Sequence, residues 1–254
     1  MSKERRMNGM PKARQGVSGK SLGTGEMVEP MLVREIIDVT YDLHEGMLTF
    51  TAPWHPVVSV TQIGRIWLEG RETREVRLGT HTGTHVDAPL HVMSKGTSIE
   101  EIPLERLVGR VTMLDFSFIG RRGEVSVKQL KRVGLGKKVL FRFGWGVHWG
   151  TRQFYKDWPY FSKSAAAYLI GEGVEMIGLD TPSPDNSSIV LSGEVLGSEA
   201  DSPIHKMLLR ANVVLVEYVA NLDKVVDFEG WNIAALPLRI RGADGSPARV
   251  ILFR

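Results

Sequence analysis

Cysteine is absent from this 254-residue chain. Without cysteine the protein can form no disulfide framework, no cysteine-based zinc or iron–sulfur site and no thiol nucleophile. Long apolar runs are missing as well, because no stretch approaches the roughly 18 to 20 residues that a membrane helix needs. The basic N-terminus is not followed by the apolar segment of a secretory signal. We therefore expect a cytoplasmic protein that has no membrane partner.

Positive charge is concentrated at the N-terminal end. The formal net charge is +3 at pH 7, and residues 1–25 contain six Lys or Arg side chains against one Glu. The rest of the chain is therefore slightly acidic. A protein that binds nucleic acid carries its basic patch on the folded part of the chain. The charge distribution thus argues against a nucleic-acid partner.

The chain divides into a tail and one domain. Residues 1–32 lack apolar periodicity and predict a disordered basic tail, whereas residues 33–254 continue without a linker or repeat and predict a single domain. Within that domain, strand-like segments alternate with helix-like segments, which is typical of an α/β fold. Strands are predicted at residues 57–63, 74–79, 110–116, 138–143, 174–179 and 213–219, helices at 98–108, 125–133, 162–171 and 203–211, and a final hairpin at 236–241 and 248–253.

One segment of eleven residues concentrates the chemistry. It contains His81, His85, Asp87 and His91, all at odd positions, so an extended chain would direct them to one face. A straight strand would nevertheless separate His81 from Asp87 by about 20 Å. Ligands of one ion lie within about 2.2 Å of it, so a metal site requires the chain to bend, and Gly83 can bend at little cost. Imidazole and carboxylate ligands suit zinc, manganese or iron(II). The alternative is a buried strand whose histidines are only hydrogen-bonded.

A second pair of candidates lies further along the chain. Glu217 stands within an apolar strand, where a carboxylate is costly to bury unless it is paired or binds a metal. His205 begins an amphipathic helix that leads into this strand, so the fold could bring the two side chains together. In the other interpretation, Glu217 points outward or pairs with an arginine.

Other features allow two interpretations each. Trp145, His148 and Trp149 could line an aromatic pocket or belong to the core, and Trp54 with His55 poses the same question. Asp180 and Asp185 follow a predicted strand. We expect them to be turn residues, and the alternative is that they belong to a pocket.

The sequence does not support a serine hydrolase or a dinucleotide-binding enzyme. The one G-x-S-x-G string, Gly19-Lys20-Ser21-Leu22-Gly23, lies in the predicted tail with no predicted strand before it, so it does not predict a nucleophile elbow, and the sequence has no glycine-rich dinucleotide loop. A structural metal site would need four protein ligands, whereas three close ligands and a further histidine favour a catalytic site with an open position.

The segment from His81 to His91 resembles the H-x-G-T-H-x-D-x-P-x-H signature of the cyclase family, which contains bacterial kynurenine formamidase and isatin hydrolase. Later segments resemble that family in order, so the resemblance covers about residues 35–254: residues 139–145, 178–185, His205, the strand of Glu217 with residues 221–223, and residues 236–247. It implies a swivelling β/β/α domain with a mixed sheet and flanking helices, and a homodimeric, metal-dependent amidohydrolase.

The resemblance also implies a role for each candidate residue. His81, His85 and Asp87 would bind one ion, and Asp87 would bridge to a second ion held by His205 and Glu217. His91 would be the general acid and base. The cofactor would be zinc or manganese, with one or two ions per subunit.

The implied substrate is a small molecule with an amide-type bond, such as the aryl formamide N-formylkynurenine. Val92 stands where these relatives tend to have an aromatic residue, and Gly83-Thr84 differs from the Gly-Ala common in dedicated formamidases. An isatin-like cyclic amide or a lactone therefore stays an alternative substrate, and a non-catalytic metal-binding relative is the alternative outside enzymes.

Overall fold

A mixed β-sheet is the centre of the computed structural model, which describes residues 33–254. The tail predicted for residues 1–32 lies outside this range. The strands are β1 Ile36–Asp38, β2 Ser59–Gly64, β3 Thr73–Arg77, β4 His85–Asp87, β5 Val108–Arg110, β6 Thr112–Asp115, β7 Glu124–Val125, β8 Lys138–Arg142, β9 Tyr160–Phe161, β10 Met176–Leu179, β11 Val214–Glu217, β12 Asn232–Pro237 and β13 Gly245–Phe253. The helices are α1 Ile66–Glu69, α2 Leu104–Leu107, α3 Val127–Leu130, α4 Lys163–Gly171, α5 Ser187–Ser192 and α6 Pro203–Arg210, with 3-10 turns at Pro89–His91, Ile99–Glu101, Ser117–Ile119, Trp145–His148 and Leu222–Lys224.

The large sheet has nine strands in the order β5-β12-β13-β4-β11-β10-β8-β6, and β1 also pairs with β13. Strands β6, β8, β10 and β11 run parallel. The pairs on the other side of β11, from β11–β4 to β12–β5, are antiparallel. The edge strands β5 and β6 are separated in the chain by Val111 alone, so the sheet curls until its edges approach each other. The predicted α/β class is therefore confirmed.

Apolar side chains pack against both faces of the sheet. Along β8, Val139 and Phe141 belong to one buried cluster and Leu140 to the other, as the two-residue period of a strand requires. Helices α4 and α6 pack on the first cluster through Leu169 and Leu208. Each large side chain buried in this way contributes about 1.5–3 kcal/mol of hydrophobic stabilisation.

The first turn of helix α6 contains His205, and its location is fixed by contacts with Asp185. Pro203 occupies its first turn, where the missing N–H leaves no bond unmade. The carboxylate of Asp185 accepts hydrogen bonds from the backbone N–H groups of Ile204 at 2.6 Å and His205 at 3.0 Å. An anion at a helix N-terminus is favoured by the free N–H groups and the helix dipole. Asp185 thus fixes both the start of α6 and the location of His205.

Two predicted elements differ most from the structure, and the helix predicted over residues 125–133 is shortened to Val127–Leu130, with Val125 in strand β7. The helix expected over residues 98–108 is a 3-10 turn and the short helix α2, because Pro103 lies between them and cannot continue a helix. The first strand of the final hairpin is β12, four residues before the predicted start, and its buried side chains include Ile233 and Ala235. Leu238 and Ile240, which suggested the later placement, are exposed in the connecting loop.

Among the helices of residues 33–254, none combines the length and apolar character that crossing a bilayer requires.

Candidate metal centre

The segment with three histidines bends sharply instead of running straight. Only His85–Asp87 is strand, and Gly83 before it has a positive φ of 61°, a conformation that glycine adopts without steric cost. The predicted bend at Gly83 is confirmed. As a result the ring of His81 returns toward the strand, with Nδ1 2.7 Å from Oδ1 of Asp87.

Strand β11 and helix α6 bring in the second pair of candidates. Glu217 lies directly opposite His85 in the β4–β11 register, and its Oε2 is 3.5 Å from His85 Nε2. Nε2 of His205 is 3.0 Å from Oε1 of Glu217 and 3.5 Å from Oδ2 of Asp87. The structure therefore places the other four predicted ligands around Asp87, the last residue of β4.

These side chains form two groups whose ligand atoms all lie within 4.8 Å of one another. One group is His81, His85 and Asp87, and the other is Asp87, His205 and Glu217. Asp87 belongs to both. Its Oδ1 lies beside His81 and His85, whereas its Oδ2 faces His205. A carboxylate in this position can bridge two cations.

The imidazoles of His85 and His205 have their tautomers fixed by outer contacts. Nδ1 of His85 donates to the carbonyl of Gly83 at 2.8 Å, and Nδ1 of His205 donates to Asp185 at 2.6 Å. Each Nε2 is then left with a lone pair that faces carboxylate oxygens. Hydrogen bonds of this kind typically orient histidines that ligate a metal.

The buried carboxylates supply a second sign that a cation belongs here. Oδ2 of Asp87 and Oε1 of Glu217 are buried and accept no hydrogen bond, since Nε2 of His205, 3.0 Å from Oε1, carries a lone pair when its proton is on Nδ1. Buried polar atoms are nearly always paired, and lone pairs that face one another repel unless a cation or a proton lies between them. The nitrogen and oxygen donors present therefore fit a divalent transition metal.

The electrostatics point the same way. Burial opposes a charged ring at His81, but the carboxylate of Asp87 and the hydrogen bond to Asp244 outweigh burial and raise the pKa of His81 to about 10. Burial also opposes ionisation of Asp87, yet His81 and His85 hold the pKa of Asp87 well below its usual range. Burial raises the pKa of Glu217. A site that favours cationic rings this strongly also favours a metal cation.

His91 lies at the edge of the cluster, on the 3-10 turn Pro89–His91. Its ring centroid is 4.0 Å from that of His81 and 6.1 Å from that of His205. About a third of its side chain is exposed (32%), and its Nδ1 is 3.0 Å from Oδ2 of Asp244. His91 is therefore next to the ligand cluster and accessible from the cavity.

Sequence reasoning missed Asp244 altogether. It contacts His81 and His91, and Thr80 donates to its other oxygen at 2.9 Å. It lies in the sequence Gly242-Ala243-Asp244-Gly245, which is typical of a turn, so the local sequence gives no sign of a role in the site. Asp185 was expected mainly as a turn residue, and its contact with His205 shows that it belongs to the surroundings of the site.

The cluster lies at the bottom of a cavity of about 690 Å³, a size usual for small-molecule sites. Trp54 and His55 line this cavity, and burial with nearby histidine rings lowers the pKa of His55 to about 4. Trp145 does not line it, because it is buried in the core with its Nε1 donating to the carbonyl of Phe154. Trp149 stacks on Tyr41 and, partly buried, packs against the same core, and His148 packs against Trp145. The aromatic pocket suggested for residues 145–149 is thus not part of this site.

Comparison with known proteins identifies a family and several relatives of this chain. Residues 37–186 match the model of the family described as "Putative cyclase". The kynurenine formamidase of Bacillus cytotoxicus is 28% identical over 226 residues, which cover 87% of this chain and 99% of that protein. The kynurenine formamidase of Geobacillus thermodenitrificans is 30% identical over 70% of this chain and 78% of that protein.

Solved structures with the same architecture include two isatin hydrolases. One, bound to the product analogue thioisatinate, has a TM-score of 0.74 and 24% identity over 87% of this chain and 92% of that chain. Isatin hydrolase A from Ralstonia solanacearum has a TM-score of 0.74 and 25% identity over 86% of this chain and 91% of that chain. The expected swivelling domain, with a mixed sheet and flanking helices, is confirmed by these neighbours.

Proposed function

The chain belongs to the cyclase family, and from that premise we infer that it is a metal-dependent hydrolase of an amide-type bond whose substrate is an aryl formamide of the N-formylkynurenine type. The observation that carries this proposal is the set of five ligand side chains around Asp87, at the bottom of an open cavity and beside a further histidine. The relatives named kynurenine formamidase support the choice of bond.

We propose that two ions, zinc or manganese, bind here. His81, His85 and Asp87 would hold one, and Asp87, His205 and Glu217 would hold the other. The unpartnered oxygens of Asp87 and Glu217 support the second site. A divalent ion in such a site polarises the carbonyl of the amide and lowers the pKa of water to about 7.

His91 is the proposed general acid and base. Because its Nδ1 contacts Asp244, Nε2 is the nitrogen available to the cavity. Nε2 would take one proton from water as the water oxygen attacks the formyl carbon. It would then give that proton to the leaving nitrogen as the C–N bond breaks, so that formate and a free aryl amine are released.

The wall of the cavity supports an aromatic substrate with an acidic group. Phe50 and Trp54 offer aromatic surface in the lining, and Lys206 is the one Lys or Arg among the described residues that line the cavity. Its ammonium donates to the carbonyl of Ser198, on the lining loop between α5 and α6. The ring and the α-carboxylate of N-formylkynurenine match these groups, whereas isatin has no carboxylate.

We also propose that the protein acts as a homodimer. Strands β2 and β3 form a separate two-stranded sheet, and five apolar side chains of this arm, residues 59–77, are more than half exposed: Ile63, Ile66, Trp67, Leu68 and Val76. Exposed apolar side chains concentrated in one segment are typical of an interface. A second copy of the chain is the proposed occupant.

The experiment that tests the function is a turnover assay with protein stripped of metal and reloaded with zinc or manganese. N-formylkynurenine and isatin are compared, with His91→Ala as the control. We expect metal-dependent turnover of N-formylkynurenine that His91→Ala reduces by at least about 100-fold, in line with the usual contribution of a general base. Faster turnover of isatin would favour the cyclic amide. Bound metal without turnover of either substrate would contradict the proposal and favour a binding protein.

A further inference from the structure

Asp244 is fixed in place by contacts on both of its sides. Its backbone carbonyl accepts a hydrogen bond from the N–H of Ala88 at 2.9 Å, and the carbonyl of Ala243 accepts one from Ile99 at 2.9 Å. Oδ1 accepts from the hydroxyl of Thr80, also at 2.9 Å. The loop between β12 and β13 is therefore bound to the segment that carries the histidines, and the carboxylate has a defined orientation.

The other oxygen of this carboxylate serves two histidines. Oδ2 is 2.7 Å from Nε2 of His81 and 3.0 Å from Nδ1 of His91. One is a proposed metal ligand and the other is the proposed acid and base. A single oxygen thus joins the two functions of the site.

The imidazole of His91 needs a contact with another residue to fix its orientation and its tautomer. It ends a three-residue 3-10 turn and a third of its side chain is exposed, so packing alone restrains its ring weakly. A neutral imidazole carries its proton on either nitrogen, and the hydrogen bond of one nitrogen decides which tautomer is present.

We propose that Asp244 is a positioning residue that holds the proton of His91 on Nδ1 and thereby reserves Nε2 for the proton transfer to substrate. The inference rests on the proposed function for its catalytic consequence, although the tautomer itself does not depend on any substrate. The competing possibility is that Asp244 acts only through His81, by orienting a metal ligand.

A double-mutant cycle separates these two roles. The variants are Asp244→Ala, His91→Ala and the double variant, all loaded with zinc. We expect Asp244→Ala to lower kcat by about 10–100-fold, the usual effect of removing an outer hydrogen bond at such a site. KM and zinc content should stay near those of the unmodified protein. In the His91→Ala background, Asp244→Ala should have almost no further effect on kcat, because the residue it positions is gone.

The matched control is Asp115→Ala, which removes a partly exposed carboxylate on β6, four strands away from β4 in the sheet. It should leave kcat unchanged. The inference is overturned if Asp244→Ala lowers kcat by the same factor with and without His91, or if excess zinc restores its activity, since both results place the effect on the metal.

A spectroscopic measurement decides the question even if no amide proves to be a substrate. In the nitrogen-15 spectrum of the zinc-loaded protein, the signals of His91 are assigned by their loss in His91→Ala. We expect a protonated Nδ1 and an unprotonated Nε2, with the proton shifted toward Nε2 in Asp244→Ala. An unchanged tautomer in Asp244→Ala would overturn the inference independently of the proposed function.

Discussion

At the scale of single residues, Asp87 is the centre of the account. It is almost fully buried, and each of its oxygens faces a different set of imidazole nitrogens. A carboxylate in that position without a cation would be costly to bury. We propose that this side chain, which would destabilise an apolar interior, is the shared ligand of the two ions.

Lys206 is the residue through which substrate choice can be tested. Lys206→Met removes the ammonium while keeping an unbranched side chain of similar length. We expect KM for N-formylkynurenine to rise by about 10-fold, since a hydrogen bond to a charged group contributes about 1.5–3 kcal/mol. Kinetics with isatin, which has no carboxylate, should stay the same within about 2-fold. An equal change for both substrates would show that Lys206 supports the cavity wall and does not recognise a carboxylate.

At the scale of elements, three neighbouring strands build the centre. Strand β4 supplies His85 and Asp87, β11 supplies Glu217 on one side, and β13 lies on the other side with Gly245 opposite Asp87. The backbone of Gly245 passes so close to His81 that an added Cβ would be 2.8 Å from its Cε1. That Cβ would also be 2.9 Å from the backbone oxygen of Val86, so the strand needs glycine at this point both to leave room for the ring and to pair with β4.

Gly245→Ala should consequently displace His81 and weaken the first ion site. We expect zinc affinity to fall by about 10–100-fold, the range for disturbing the surroundings of a metal ligand. Titration of stripped protein with zinc measures this effect. Gly171→Ala, at the end of α4, is the control because an added Cβ there meets nothing within 4 Å. Equal affinities for the two variants would show that His81 is not a ligand.

The elements also show what could be predicted from sequence. The strands of the parallel half follow from their apolar runs, and α6 follows from its amphipathic pattern and from Pro203, because these signals are local. The hairpin start was misplaced, since Leu238 and Ile240 are apolar but exposed. Asp244 could not be predicted as a site residue, because its partners are 153 and 163 residues away in the chain and the local turn sequence does not indicate such contacts.

At the scale of the whole molecule, the curled sheet brings together segments that are far apart in the chain. The chain belongs to the cyclase family, and the cluster around Asp87 is the basis of the metal-dependent amide hydrolysis that we propose. No residue of its β2–β3 arm, residues 59–77, lines the cavity of the same chain.

The proposed dimer predicts a specific effect at this arm. Ile66→Ser combined with Trp67→Ser replaces side chains that are 70% and 79% exposed, so the fold of one subunit should not change. We expect the variant to shift from dimer to monomer in analytical ultracentrifugation. Phe118→Ser is the control, because it removes another exposed aromatic ring, 68% accessible, from a different part of the chain. A monomeric unmodified protein, or a dimer that survives in the double variant, would contradict this assignment.

Calorimetric titration of the stripped protein with zinc tests whether these five side chains bind divalent metal. We predict saturable binding of two ions per chain, one ion after Glu217→Gln, and loss of tight binding at both sites after Asp87→Ala. The account is contradicted if the unmodified protein binds no zinc, or if Asp87→Ala binds it as tightly as the unmodified protein does.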